Sequence, residues 1–197
     1  ILSGHKKIIV VVSAMSGVTN SLVKQYRSID LDINNPEYDV ILSTGEQYSS
    51  ALISTVLNKN GVNSRSILGW QIPITTDNKF SQARIEKIDT EKIFKLFKKY
   101  NVLVVAGFQG ISSDGRITTL GRGGSDTSAV AIAVALKSKV CEIYTDVEGI
   151  FSSDPRLVKD ARKIKNITYE EILEMASLGS KVLHPRSVEL AMKYDIK

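Results

Sequence analysis

Arg122 and Asp126 put one charge of each sign into a glycine-rich turn, Thr118-Thr-Leu-Gly-Arg-Gly-Gly-Ser-Asp-Thr-Ser128. A guanidinium forks onto a carboxylate, and a carboxylate accepts from an ammonium, so the pair suits a zwitterionic ligand. Glycines where a strand turns into a helix also let a ligand approach bare backbone N–H groups at the helix's positive end. The spacing is not a nucleotide fingerprint. Asp126 stands where the third glycine of a dinucleotide loop would fall, and no Gly-Lys-Ser/Thr marks a Walker A loop. The plain structural alternative is a tight turn with Ser125 or Asp126 as a helix cap.

Other segments carry chemistry of the same kind. Ser43-Thr-Gly-Glu46 places a carboxylate at an expected helix start. Glu46 there either complements the helix dipole or accepts a substrate ammonium or a metal-bound group. Thr145-Asp-Val-Glu-Gly-Ile-Phe-Ser-Ser-Asp-Pro-Arg156 holds three acids, an arginine and a proline turn. Asp146 at a strand end would suit a ribose hydroxyl or a metal, and Arg156 a phosphate; a solvated loop is the alternative. Lys181 follows Gly179-Ser180 at a helix-to-helix junction, from which an ammonium reaches a phosphate or simply solvent. His184, before Pro185, fits a structural role. With two histidines and one cysteine, neither a zinc site nor a serine–histidine–acid triad is indicated.

These residues need a scaffold, and 197 residues with 43% hydrophobic content suffice for one domain with a real core. The net charge of +5 is spread out, and its densest cluster, Lys92, Lys95, Lys98 and Lys99, lies on one amphipathic helix. That is a solvated face rather than a nucleic-acid surface. No apolar run has the length of a membrane span, no signal-peptide pattern opens the chain, and a lone Cys141 excludes an internal disulfide, so a cytoplasmic setting is expected.

Lys7–Val12 and Val102–Ala106 are continuous apolar runs that predict strands covered on both faces. Val62–Leu68 alternates and predicts a strand, and Val140–Thr145 predicts another, with Cys141 buried in it. Helices are expected after Ser13–Asn20, over Gln47–Asn58 with Gly61 as a stop, and over Glu91–Lys99 capped by Asp89 or Thr90. Further helices are expected across the all-apolar Ala129–Leu136, from the Thr168–Glu171 capping box to Gly179, and after Pro185. Residues 28–37 read as a polar loop. Strands alternating with helices predict an α/β fold, a three-layer α/β/α sandwich around a mainly parallel sheet. Such folds bind ligands beyond the carboxyl ends of strands, where Ser13–Asn20, Ser43–Glu46, Gly107–Asp126 and Thr145–Arg156 are expected.

Six segments in order resemble the catalytic domain of the aspartate kinases, within the amino acid kinase family. They are Val11–Thr19, Ser43–Glu46, Ala106-Gly-Phe-Gln-Gly110, Thr118–Asp126, Tyr144–Arg156 and Gly179-Ser-Lys-Val-Leu-His-Pro-Arg186. The resemblance implies an amino acid kinase fold and ATP-dependent phosphorylation of the β-carboxylate of L-aspartate, with ATP and Mg²⁺. It assigns aspartate to Ser13, Thr19, Glu46, Arg122, Gly123, Gly124 and Ser125. It assigns ATP to Thr145, Asp146, Phe151, Arg156, Lys181 and Val182, with Arg122, Asp126 and Lys181 as the catalytic set and no residue assigned to a metal. Phe151 stands where the family often has tyrosine, which keeps stacking and loses a hydroxyl.

No general base is expected, because a carboxylate with a pKa near ~3.9 is already ionised at neutral pH. The family's Lys-Phe-Gly-Gly strand and its ACT domains have no counterpart in residues 1–197, which therefore read as an incomplete catalytic domain of low activity by itself. A homodimer is expected of the longer protein, with no nucleic-acid or membrane partner. Glutamate or acetylglutamate kinases, or a non-catalytic ligand-binding fragment, are the alternatives.

Overall fold

The structure is a computed structural model and describes residues 7–178 and 183–197. The continuous apolar runs form the centre. β5 (Val102–Ala106) lies between β1 (Ile8–Val12) and β2 (Ser64–Ile67), parallel to both. Every residue of β5 is buried, as a strand covered on both faces requires. Leu103 and Val105 join one core with Ile67, Ile72, Ile93 and Ile132, whereas Val102 and Val104 join another with Val12, flanked by Leu57. The first core is covered by α3 (Thr90–Phe97) and α4 (Gly124–Ala135), the second by α2 (Pro36–Lys59). These are the expected three layers.

α2 begins earlier than its periodicity suggests. Asn35 caps it by accepting the Glu37 N–H at 3.0 Å, and Pro36 occupies the first turn, where its missing N–H costs nothing. It ends with Val62 N–H donating to Leu57 O and Gly61 N–H to Asn58 O, a left-handed Gly61 completing the Schellman motif. Ser43–Glu46 therefore lies inside a helix, not at the start of one. Gly45, which suggested a break, is needed for its size: a side chain there would press on Ala14 Cβ at 2.8 Å. The polar loop correspondingly stops at Asn35.

A second sheet, in the order β4-β3-β6-β7, was not anticipated. Its strands are β3 (Ile74–Thr76), β4 (Ile85–Ile88), β6 (Gln109–Ile111) and β7 (Ile117–Thr119). Only β3–β6 is a parallel pair here, the other two being antiparallel, so across both sheets the pairing is mainly parallel. Most of these strands are three residues long, too short to show alternation. The β6–β7 hairpin did carry a signal, Asp114-Gly115 between Ile111 and Ile117, with Gly115 left-handed and Ser112 bonded to Arg116 across the turn.

The strand predicted over Val140–Thr145 does not form. Cys141 N–H donates to Lys197 O at 2.7 Å and Lys197 N–H to Lys139 O at 2.9 Å, one parallel rung against the last residue of the sequence. Cys141 is correspondingly half-buried rather than in the core. Asp146 thus sits in an exposed irregular segment and not at a strand end.

The last helices follow their caps. α5 (Tyr169–Ser177) opens with the reciprocal Thr168–Glu171 box, and α6 (Pro185–Tyr194) opens on His184 with Pro185 in the first turn. The expected stop at Gly179 lies outside the described residues. α1 (Val18–Arg27) packs on α2 through Tyr26 and Tyr38, edge to face with ring centres 5.0 Å apart.

Candidate active site

The chain leaves β5 at Gly107 and enters β6 two residues later, so the two sheets meet at Gly107-Phe108. A cavity of about 880 Å³ opens beside this seam. Ser13 and Thr19 reach it from the β1–α1 turn and Glu46 from the interior of α2. Arg122, Gly123, Gly124, Ser125 and Asp126 come from the β7–α4 turn. All eight residues assigned to aspartate or its turn thus line one cavity.

The turn has the form its glycines imply. Gly121 and Gly123 are both left-handed, with φ of 76° and 66°, and Gly123 is the N-cap of α4. A methyl group on Gly123 would also collide with the His184 side chain. Neither Ser125 nor Asp126 caps the helix; both lie within its first turn. Gly124 N–H donates to Gly121 O at 3.0 Å, so the Ser125 and Asp126 N–H groups are the ones offered to a ligand at the positive end of α4.

Glu46 is the electrostatic centre of the cavity. It is 4% exposed, and its Oε1 accepts the Ala14 N–H at 3.0 Å. Its Oε2 is buried with no hydrogen-bond partner among the described residues. Burial pushes the carboxyl up to about 7, and the Ala14 N–H only partly opposes this. A buried carboxylate left half-satisfied is costly unless a donor completes it. Asp126 is half-buried and likewise raised by burial, with the nearby His184 pulling the other way. Arg122 is exposed at the rim. Among the described residues no ion pair involves Arg122, Asp126 or Glu46. Arg122, Glu46 and Asp126 thus face the same space without an ion pair among the described residues, and Arg27 and Arg186 line it too.

The nucleotide assignments do not converge in the same way. Thr145 and Asp146 are exposed and outside this cavity, and Phe151 is half-buried at a bridge to Lys163. Arg156 is held by Asp154 through two side-chain hydrogen bonds of 3.1 and 2.8 Å, which lower the Asp154 carboxyl to about 2. Lys181 and Val182 lie outside the described residues.

Residues the motifs did not single out also shape the cavity. Phe108 lines it in a left-handed conformation, φ 68°, inside Ala106-Gly-Phe-Gln-Gly110. A bulky residue with positive φ marks local strain. Asp39 is fully buried beneath the site; its carboxylate accepts the Thr119 N–H, the Thr119 hydroxyl and the Ser81 N–H. Arg186 lines the cavity from α6. A lone acid in an apolar stretch of sequence carries no mark of such a role.

The architecture agrees with what the chain is similar to. The sequence model of the Amino acid kinase family matches residues 1–197. The aspartokinase of Rickettsia felis is 50% identical over 99% of this chain and 49% of its own length. The aspartate kinase structure from Synechocystis superposes with a TM-score of 0.78 at 48% identity, over 95% of this chain and 31% of that one. E. coli aspartokinase III, solved in complex with aspartate and ADP, superposes with a TM-score of 0.78 at 31% identity, over 90% of this chain and 40% of that one. The chain spans about half the length of the curated relatives it matches. By its sequence over its whole length, and by its fold, the chain belongs to the amino acid kinase family.

Proposed function

We propose that the protein to which this chain belongs is an aspartate kinase, which transfers the γ-phosphoryl group of ATP to the β-carboxylate of L-aspartate. The observation that carries this reading is Glu46 Oε2, buried and unpartnered among the described residues, in a cavity that also presents Arg122 and the α4 N-terminus. An amino acid's ammonium completes Glu46, and Arg122 takes a carboxylate. The aspartokinase relatives and the aspartate and ADP bound to E. coli aspartokinase III support the same substrates.

The chemistry then rests on placement. The attacking β-carboxylate is ionised at neutral pH, so no side chain need remove a proton. Ser13, Thr19 and the Gly123–Ser125 backbone would fix its direction, and holding reacting groups in line lowers the barrier without covalent chemistry by the protein. ATP is a substrate here, assigned by resemblance to Thr145, Asp146, Phe151, Arg156, Lys181 and Val182. For Arg156 to meet a phosphate it must exchange its Asp154 partner, an exposed pair that costs little to open.

Magnesium would arrive on the nucleotide's phosphates, needing one or two carboxylates and no protein cage. Asp126, half-buried and unpaired among the described residues, fits that donor set. The ion would neutralise charge on the transferring group. By resemblance alone, the protein is read as a cytoplasmic homodimer.

A coupled ADP-release assay on the full-length protein tests the reading, with L-aspartate, L-glutamate and N-acetylglutamate as acceptors. Aspartate-dependent release is the expected result. Turnover of either other acid in preference would replace the reading with one of the sister kinases, and no turnover with any acid would leave a ligand-binding protein.

A further inference from the structure

Arg186 does something that neither the cavity's charges nor the sequence motifs account for. Its Nη1 donates to Leu120 O at 2.6 Å and its Nη2 to Ala83 O at 3.2 Å. Leu120 is fully buried and immediately precedes the Gly121-Arg122 turn. Ala83 is fully buried too, and its N–H donates to Thr119 O at 2.9 Å, which stitches the residue 77–84 loop to the end of β7. On the other side, Asp39 of α2 holds Thr119 and Ser81. Thr119, which ends β7, is thus held by an anion from α2, and Leu120, the next residue, by a cation from α6. Arg186 forms no ion pair among the described residues; its partners are two carbonyls.

Arg186 also lies in the first turn of the helix whose cap, His184, packs against Gly123. The start of α6 therefore touches the substrate turn twice, at Gly123 through His184 and at Leu120 through Arg186. We infer that Arg186 is a positioning residue for the substrate turn: with its guanidinium engaged by the Leu120 and Ala83 carbonyls, it sets where Arg122 and the α4 N-terminus stand. The inference rests on the aspartate kinase reading for the identity of the ligand. A guanidinium is suited to this because its planar fork spans two acceptors at once, which a single ammonium does not. Removing it leaves a buried carbonyl unsatisfied at the base of the turn. Displacement of a substrate-aligning group by even 1 Å can cost on the order of 100-fold.

The test compares full-length wild type with Arg186→Lys and Arg186→Met, reading L-aspartate binding by titration calorimetry, ATP binding without aspartate, steady-state kinetics and melting temperature. Arg186→Met should weaken aspartate binding and raise its KM about 10- to 100-fold, with ATP binding changed less than about twofold. Arg186→Lys should fall between the two, since one carbonyl can still be held. Unchanged aspartate affinity in both variants, whatever the melting temperature, would overturn the inference. A matching loss of ATP affinity would overturn it as well, by making Arg186 a direct phosphate ligand. If Arg186→Met does not fold, Arg186→Lys carries the comparison alone. Wild type that turns over a different carboxylate defeats the aspartate reading instead, and the Arg186 comparison is then read with that carboxylate under the same criteria.

Discussion

Glu46 reaches out of the middle of α2 and accepts the backbone N–H of Ala14 at 3.0 Å, tying that helix to the turn after β1. The contact satisfies one carboxylate oxygen and leaves the other, Oε2, buried without a partner among the described residues. A group so placed is poised to answer the arrival of a cation.

Glu46→Gln should therefore weaken aspartate binding about 10- to 100-fold, the loss expected for one buried charge-assisted hydrogen bond. In wild type near pH 6, where Glu46 is largely protonated, aspartate binding should release a proton as the ammonium draws the carboxyl down. Titration calorimetry in buffers of different ionisation enthalpy reads this release directly, and it should vanish in Glu46→Gln. The turnover number at saturating aspartate should lack this titration, because the nucleophile is already ionised. A near-neutral pKa in the turnover number itself would instead point to an enzyme base.

The same carboxyl makes stability depend on pH. Its folded value of about 7 lies above the ordinary 4.5, so the folded state holds the proton more tightly than the unfolded chain. The resulting stabilisation is complete below about pH 4.5 and is lost as pH rises through about 7, amounting to on the order of 3 kcal/mol. Urea unfolding of wild type and Glu46→Gln between pH 5 and 8 isolates this contribution as the difference between the two curves. Parallel curves would mean that the carboxyl is ionised throughout.

Gly123→Ala should be severe. The left-handed backbone costs an alanine about 1 to 3 kcal/mol, and its methyl group would have to displace His184. Melting temperature should fall and aspartate affinity with it, because the N–H groups at the start of α4 would move. Near-normal affinity would show that the turn does not hold the ligand.

Arg122→Ala should raise the aspartate KM by about 10- to 100-fold and leave ATP binding nearly intact. Equilibrium ATP binding without aspartate checks the second half of this expectation, and a large loss there would reassign the turn to phosphate.

Much of this was legible in the residues. The apolar runs at Lys7–Val12 and Val102–Ala106 announced strands; β5 buries every side chain as expected, whereas β1 is fully buried only at Val12. The glycine turn and Glu46 were found because glycine and charge rarely share a short segment without reason. Two features escaped for physical reasons. Ser43–Glu46 read as a helix start because Gly45 is a poor helix former, whereas its role is to let Ala14 approach. The second sheet was invisible because strands of three residues are held by partners distant in sequence, such as β3 by β6, rather than by their own pattern. Val140–Thr145 makes one backbone rung, to Lys197 at the end of the sequence, and is otherwise irregular.

Asp39 and Arg186 hold the end of β7 from opposite sides, through backbone groups that are largely shut away from solvent. Mobile ions screen exposed charges over about 8 Å at physiological ionic strength and reach buried contacts far less. Added salt should therefore weaken the encounter of aspartate with the exposed Arg122 while the turn that carries Arg122 keeps its place. Raising potassium chloride from 50 mM toward about 0.5 M should lift the aspartate dissociation constant and leave the melting temperature of the unliganded protein nearly level. The substrate's capture and the frame that receives it would then respond to ionic strength independently, because one is built from exposed charge and the other from charge spent on the backbone.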